Sequence, residues 1–120
     1  MIRIDNLSKN YGSVEAVKSI SFSLGDGEIV GFLGANGAGK STTLKIMTGY
    51  LTPTSGNVYV GDKNIIDDCL EIQRSVGYLP ELNPLYSEMK VHEYLKFHAA
   101  IRGIEGADFT NALKKVVADC

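Results

Sequence analysis

The first quarter of the chain alternates between apolar and polar residues as a half-buried β-strand does. Residues 2–5 alternate weakly and residues 17–24 alternate clearly. In the second segment Ile20, Phe22 and Leu24 fall on one face, and three serines fall on the other. Successive side chains of a strand point to opposite faces of its sheet. The pattern therefore predicts two strands of an antiparallel sheet with one packed face and one exposed face.

A continuous apolar run and a helical pattern follow. The turn signal Gly25-Asp26-Gly27 precedes residues 28–33, E-I-V-G-F-L, which have the pattern of a strand buried on both faces. Residues 40–49 then carry apolar side chains at helical spacing and end at a glycine. We predict a buried strand, a loop and a helix in that order.

The rest of the chain continues to alternate between strand and helix patterns. The predicted elements are a strand over 57–60, a helix over 67–74, a strand over 75–79, a loop over 80–87, and helices over 91–103 and 109–120. The last helix reaches the final residue without a glycine cap. We therefore expect the chain to be the first part of a longer protein.

Composition excludes several classes of partner and site. The 120 residues fit one domain, and a net charge of −2 lacks the basic excess that nucleic-acid binding requires. Cys69 and Cys120 lie far apart, without the spacing of a zinc site. No apolar run is long enough for a membrane span or a signal peptide. We expect a reduced, cytoplasmic protein that binds no nucleic acid.

Residues 34–41 carry the clearest chemical signal. Their sequence, G-A-N-G-A-G-K-S, matches the phosphate-loop pattern G-x-x-x-x-G-K-[ST], and they lie between the predicted buried strand and the helix. Glycines let the backbone point successive N–H groups at one anion, and the helix N-terminus adds a positive field. The predicted nucleotide-binding residues of this loop are Asn36, Gly37, Ala38, Gly39, Lys40, Ser41 and Thr42.

Three of these residues have distinct predicted roles. Lys40 supplies a point charge to the β and γ phosphates, Ser41 offers a hard oxygen ligand to Mg²⁺, and Thr42 hydrogen-bonds the α phosphate. The alternative is a glycine-rich turn that binds nothing. That alternative is disfavoured because a lysine at a helix N-terminus is electrostatically misplaced unless an anion compensates it.

Segments around the loop narrow the class of phosphate-loop protein. They are residues 7–12 (L-S-K-N-Y-G), 16–22, 27–29, 34–42, 53–56 (P-T-S-G) and 76–81 (V-G-Y-L-P-E). Together they resemble the N-terminal half of an ABC transporter ATP-binding subunit over nearly the whole chain. The likeness is greatest to bacterial export-type subunits, including the gliding-motility kind, which carry G-Y-L-P-E before N-P-L-Y.

This resemblance implies a fold and a division of the chain. The fold is an α/β P-loop NTPase core of the ABC type with an antiparallel β-subdomain, ending before the signature and Walker B segments. Residues 1–87 would form the partial ATPase core with the nucleotide-binding loop. Residues 88–120 would begin the helical subdomain.

The resemblance also assigns roles outside the loop. Tyr11 would stack on adenine, with Val17 as an apolar neighbour of the ring; otherwise they are a strand-end tyrosine and a core valine. Glu81 stands where most of the family has glutamine, in a loop that approaches Mg²⁺ near Ser41 and faces the membrane subunit. A carboxylate reaches a hard cation, but when ionised it donates no hydrogen bond. The alternative for Glu81 is a solvated loop residue.

Motifs required for hydrolysis in this family are not found in the sequence. There is no L-S-G-G-Q signature and no apolar strand ending in Asp-Glu, and the acids of residues 64–68 follow too few apolar residues to replace that pair. His92 and His98 lie upstream of the switch histidine. No catalytic residue is predicted, and whether this chain is itself an enzyme is left open.

The resemblance implies ATP and Mg²⁺ as cofactors, and ATP hydrolysis in the complete subunit that powers transmembrane transport. It implies a transmembrane permease partner bound through residues 81–87, a second ATP-binding subunit as a homodimer or a paired chain, and a peripheral place on the inner face of the membrane. The alternatives are a nucleotide-binding module without turnover, a non-transport ABC ATPase, and a GTPase or small-molecule kinase. The sequence contains no N-K-x-D motif, which a GTPase uses to recognise guanine, so the GTPase alternative has no support from a motif.

Overall fold

The computed structural model describes residues 1–83 and 85–120. They form two compact units, Met1–Tyr78 and Leu79–Cys120, which are described one at a time. Pro84, in the predicted partner loop, lies outside the described residues. The functional division after residue 87 stays a prediction.

A four-stranded antiparallel sheet forms the frame of the first unit. Its strands are β1 (Ile2–Tyr11), β2 (Val14–Leu24), β3 (Ser55–Val60) and β4 (Lys63–Asn64), in the order β2-β1-β3-β4. The predicted antiparallel pair at the start of the chain is confirmed, and so is the third strand. The two residues of β4 are too few for an alternating pattern to show, so the sequence did not predict it.

The register between β1 and β2 shifts at three places, and two of these shifts are bulges at Asn6 and Ser19 that set which side chains face the core. Asn6 and Ser19 both have a left-handed backbone with φ 48°, and the Asn6 N–H donates to the Ser21 hydroxyl at 2.8 Å. The register between the strands shifts at these points. Each bulge inserts one extra residue, so Ile4 and Leu7, three positions apart, are both buried.

Side chains from the sheet and from two helices form one core. The helices are α1 (Lys40–Met47) and α2 (Cys69–Ser75), close to their predicted ranges. The buried apolar residues are Ile4, Leu7, Val17, Ile46, Met47, Val58, Ile65 and Ile72. Thr43 is buried beside them, and its hydroxyl donates to the Gly39 carbonyl at 2.9 Å. The core therefore fixes α1, and with it the loop that precedes this helix.

Two predicted strands do not form. Residues 28–33 take no regular secondary structure and are exposed, with Ile29 fully accessible to solvent and Leu33 92% accessible. Residues 76–79 are likewise irregular. A buried strand needs hydrogen-bonding neighbours and covering layers. Within the described residues neither segment is paired with another strand, so the apolar sequence alone does not produce a strand.

Within the described residues of the second unit there are two helices, α3 (Val91–Ile101) and α4 (Gly106–Asp119), as predicted from their periodicity. An apolar groove of about 170 Å³ lies between them, lined by Leu95, Ala99, Ile104, Phe109, Ala112, Leu113 and Val116. In the part of the chain that the structure describes, no helix combines the length and apolarity needed to cross a membrane.

Candidate nucleotide-binding site

Gly39 joins the phosphate loop to α1 and lies directly against β2. It is the N-cap of α1 with φ 84°, in the left-handed region that favours glycine. A Cβ added to Gly39 would lie well inside 3.0 Å of the Ala16 carbonyl oxygen and 3.1 Å from Val17 Cγ2. Backbone atoms cannot yield as a flexible side chain can. The close approach therefore requires glycine and sets the position of the loop on the sheet.

Lys40 closes the loop on itself. Its Nζ donates to the carbonyl oxygens of Gly34 at 2.6 Å and of Ala35 at 2.8 Å. The Ala38 N–H also donates to the Ala35 carbonyl, at 3.2 Å. An ammonium group has three donors, so these two bonds leave one for a further acceptor. The lysine charge is thus held at the loop, beside the start of α1.

The N-terminus of α1 has no internal compensation. The first N–H groups of a helix lack intrahelical acceptors, and the helix dipole places positive charge there. Gly39 provides no side-chain cap, and no acidic residue stands in the first turn. With the Lys40 ammonium close by, this end of the helix is suited to a multiply charged anion.

Ser41 and Thr42 lie in this first turn. Ser41 is exposed and Thr42 is half-buried. Mg²⁺ keeps several waters and takes one or two protein ligands together with phosphate oxygens, so one serine hydroxyl suits a magnesium ion bound with a nucleotide. Among residues 1–83 and 85–120 no group of three or more His, Cys, Asp or Glu side chains is placed to hold a metal.

An open cavity of about 350 Å³ lies between β2 and the phosphate loop. Its lining residues are Glu15, Ala16, Val17, Lys18, Ile20, Phe22, Phe32, Gly37, Ala38 and Thr43. Val17 is 2% exposed and belongs to the core, so it supports the loop from within. The structure thus places Val17 beside Gly37 and Ala38. Tyr11 is not among the lining residues.

Tyr11 ends β1 and is 48% exposed, opposite Val14 on β2. The ammonium of Lys9 lies 5.4 Å from its ring centroid. The ring is accessible enough to stack on a planar group.

A family model described as ABC transporter matches residues 17–119, most of the chain. This chain belongs to the ABC transporter family. Its phosphate loop, helix α1 and antiparallel sheet are therefore parts of an ABC transporter ATP-binding domain, and the predicted fold class is confirmed.

Individual relatives agree with this family. The uncharacterized ABC transporter ATP-binding protein YxlF of Bacillus subtilis is 40% identical over 104 residues, which cover 87% of this chain and 34% of that protein. ATP-binding cassette sub-family A member 2 of Rattus norvegicus is 36% identical over 113 residues, 90% of this chain and 5% of that protein. The chain spans about a third or less of the length of these curated relatives.

A solved structure described as a dimeric bacterial ABC transporter cassette is also similar. It has a TM-score of 0.80 and 28% identity, and the match covers 95% of this chain and 55% of that one. The likeness extends over the sheet and the helices, so the ABC domain fold is common to both.

Glu81 of this ABC transporter domain belongs to the second unit, where it is exposed in an irregular segment. Ser41, the other predicted metal ligand, lies in the first unit. Both side chains are exposed to solvent within their own units, so each oxygen is accessible to a metal ion.

Sequence analysis missed two residues that shape the site. Ala16 offers only its backbone carbonyl to Gly39, so no side-chain signal marks it. Lys9 was detectable, because it stands two residues before Tyr11, and alternate residues of a strand share a face.

Proposed function

We propose that this chain binds Mg-ATP at its phosphate loop and forms part of an ABC transporter subunit whose ATP hydrolysis powers transmembrane transport. One observation carries the proposal. Helix α1 begins without a side-chain cap at Lys40, whose ammonium donates to the carbonyls of Gly34 and Ala35 in the same loop. Two sources of positive potential at one exposed loop suit a nucleotide polyphosphate. The relatives described as ATP-binding proteins support the same nucleotide.

In this proposal the loop contributes mainly backbone donors. The N–H groups of the segment 36–42 surround the β and γ phosphates, and Lys40 contributes its remaining donor or exchanges a carbonyl for a phosphate oxygen. The Ser41 hydroxyl binds Mg²⁺, and Thr42 hydrogen-bonds the α phosphate. When bound there, Mg²⁺ would neutralise charge on the phosphates.

The base and the second metal ligand come from outside the loop. The exposed ring of Tyr11 stacks on adenine. Val17 is buried, so its proposed contribution is an apolar wall behind the base and the loop. The carboxylate of Glu81 is proposed as a second oxygen ligand for Mg²⁺ on the strength of its position in the motif V-G-Y-L-P-E.

The proposal extends to partners and location. A permease subunit would bind the 81–87 region, and a second ATP-binding subunit would complete the site. The similar bacterial cassette is described as dimeric, which supports the second part. Such a complex would place this domain peripherally on the inner face of the cell membrane. We further propose that the transport is export, because the sequence resembles export-type subunits.

Titration calorimetry with Mg-ATP and Mg-ADP tests the binding step. Wild-type protein is expected to bind both nucleotides, and Lys40→Ala to lose most of the affinity while keeping its circular dichroism spectrum. Lys45→Ala is the matched control, because Lys45 lies in the last turn of the same helix. Equal ATP affinity of Lys40→Ala and Lys45→Ala would refute the site.

Nucleotide binding without turnover is the second candidate. Its support is the sequence, which contains no L-S-G-G-Q segment and no apolar strand ending in Asp-Glu. A phosphate-release assay with Mg-ATP on the complete subunit distinguishes the two candidates, since a module without turnover binds ATP and releases no phosphate. Competition by GTP at equal affinity would instead favour a nucleotide site without base selection.

A further inference from the structure

Lys9 connects the end of β1 to the loop that follows α1. Its Nζ donates to the Thr52 carbonyl at 2.7 Å and lies 5.4 Å from the centroid of the Tyr11 ring. The side chain is half-buried, so its stem is packed while its ammonium group holds two partners at once. Lys9 is therefore held in place on both sides.

Neighbouring hydrogen bonds make this connection rigid. The Thr54 N–H donates to the Ser8 carbonyl at 2.9 Å, and the Asn10 N–H donates to the Thr54 hydroxyl at 3.0 Å. Thr54 thus bonds to β1 on both sides of Lys9, two residues after the Thr52 carbonyl that accepts from the Lys9 ammonium. The Thr52 carbonyl is a fixed acceptor, and a fixed acceptor holds the ammonium in a fixed position relative to the Tyr11 ring.

We propose that Lys9 is a positioning residue for the Tyr11 ring in nucleotide binding. This inference rests on the proposed function, in which Tyr11 stacks on the base. The ammonium occupies one face of the ring through a cation–π interaction, so the base stacks on the opposite face. The cation also draws electron density from the ring, which favours stacking with an electron-rich purine.

This role predicts a dependence on the base and not on the phosphates. An exposed cation–π contact corresponds to about a two- to fivefold change in affinity. Lys9→Met keeps the length of the stem and removes the charge, so it is expected to weaken Mg-ATP binding by about this factor. Magnesium tripolyphosphate, which has no base, is expected to compete equally with nucleotide in both proteins. Lys9→Arg retains a cation that stacks on aromatic faces and is expected to restore wild-type affinity.

A double-mutant cycle decides whether Lys9 acts through Tyr11. With Tyr11→Leu already present, adding Lys9→Met is expected to change Mg-ATP affinity no further. Arg3→Met is the matched control. Arg3 lies on the same strand as Lys9, six residues before it, and its guanidinium carbon lies 4.4 Å from the centroid of the Tyr59 ring. This substitution removes an equivalent contact at the far end of β1 and is expected to leave ATP affinity unchanged.

Two results would overturn this inference: unchanged ATP affinity in Lys9→Met, or an equal loss in the presence and absence of Tyr11, which would indicate direct attraction of the phosphates. Thermal melting of each variant separates loss of affinity from loss of fold. ATP binding that does not respond to Lys40→Ala would refute the proposed function itself. Binding that depends on Lys40 but not on Lys9 would refute only the positioning role.

Discussion

Gly39 and Ala16 are in contact through their backbones, and this contact places the phosphate loop on β2. The left-handed φ of 84° at Gly39 and the Ala16 carbonyl oxygen, which lies where a Cβ would extend, both require glycine there. The loop is therefore held by the shape of the sheet as well as by its own hydrogen bonds.

Replacing Gly39 with alanine is expected to destabilise the protein more than the same change at Gly37. Gly37 has the same φ of 84°, but an added Cβ there meets nothing within 4 Å. Gly37→Ala therefore carries only the left-handed backbone cost of about 1–2 kcal/mol, whereas Gly39→Ala adds a clash with backbone. Denaturant unfolding measures both free energies. Equal losses of stability would show that the contact with Ala16 does not constrain the loop.

Removing the ring of Tyr11 is expected to weaken ATP binding without unfolding the protein. Stacking on one base is worth about 1–3 kcal/mol, so Tyr11→Leu is expected to lower Mg-ATP affinity by about five- to 150-fold. Tyr11→Phe keeps the ring and is expected to bind nearly as wild type. Tyr50→Leu is the control, since Tyr50 is 72% exposed just after α1. A Tyr11→Leu protein that binds ATP as tightly as the Tyr50→Leu protein would contradict the stacking role.

The ion pair between Lys63 and Glu71 is expected to make a small, pH-dependent contribution to stability. A hydrogen bond from Lys63, aided by its charge, lowers the pKa of the Glu71 carboxyl below its ordinary value of 4.5. The same hydrogen bond and the Glu71 charge raise the pKa of Lys63 above 10.5. The stabilisation is therefore present between these values, and it is lost as pH falls through the lowered carboxyl pKa or rises through the raised lysine pKa.

Thermal melting of Glu71→Gln from pH 7 to pH 3 tests this window. The melting temperature of the variant is expected to lie slightly below wild type at pH 7, because the pair is solvent-exposed, and to converge with it in acid. Glu15→Gln is the control, since that carboxylate lies at 4.0 Å from Lys18 and is loosely paired. A difference for Glu71→Gln that stays constant down to pH 3 would contradict the ion pair.

Local signals in the sequence were sufficient to predict the strands β1 to β3 and the helices, whereas the ligand of the phosphate loop stays a prediction. The serines opposite Ile20 and Phe22 on β2, for example, are exposed as the alternation predicts. The bulges at Asn6 and Ser19 were not predicted. Asparagine adopts the left-handed backbone more often than most non-glycine residues and serine does not, but neither marks that conformation as strongly as glycine does. The bulges depend on cross-strand hydrogen bonds that only the paired strands provide.

The apolar segment 28–33 shows the opposite kind of error. Its composition indicates burial, yet burial depends on elements far away in the chain, and within the described residues the segment is exposed. The sequence was limited in the same way at the site. The motif predicted Lys40, but the two carbonyls that accept from Lys40 could be identified only in the folded loop.

The bonds from Lys40 to Gly34 and Ala35 also bear on the energetics of ligand capture. A loop that takes shape only around its ligand loses conformational entropy on binding, and that loss weakens the complex. Here the lysine and the loop backbone are already immobilised by each other. Much of that entropy is lost when the chain folds, so we expect a polyphosphate at the proposed site to meet a loop that is already largely ordered.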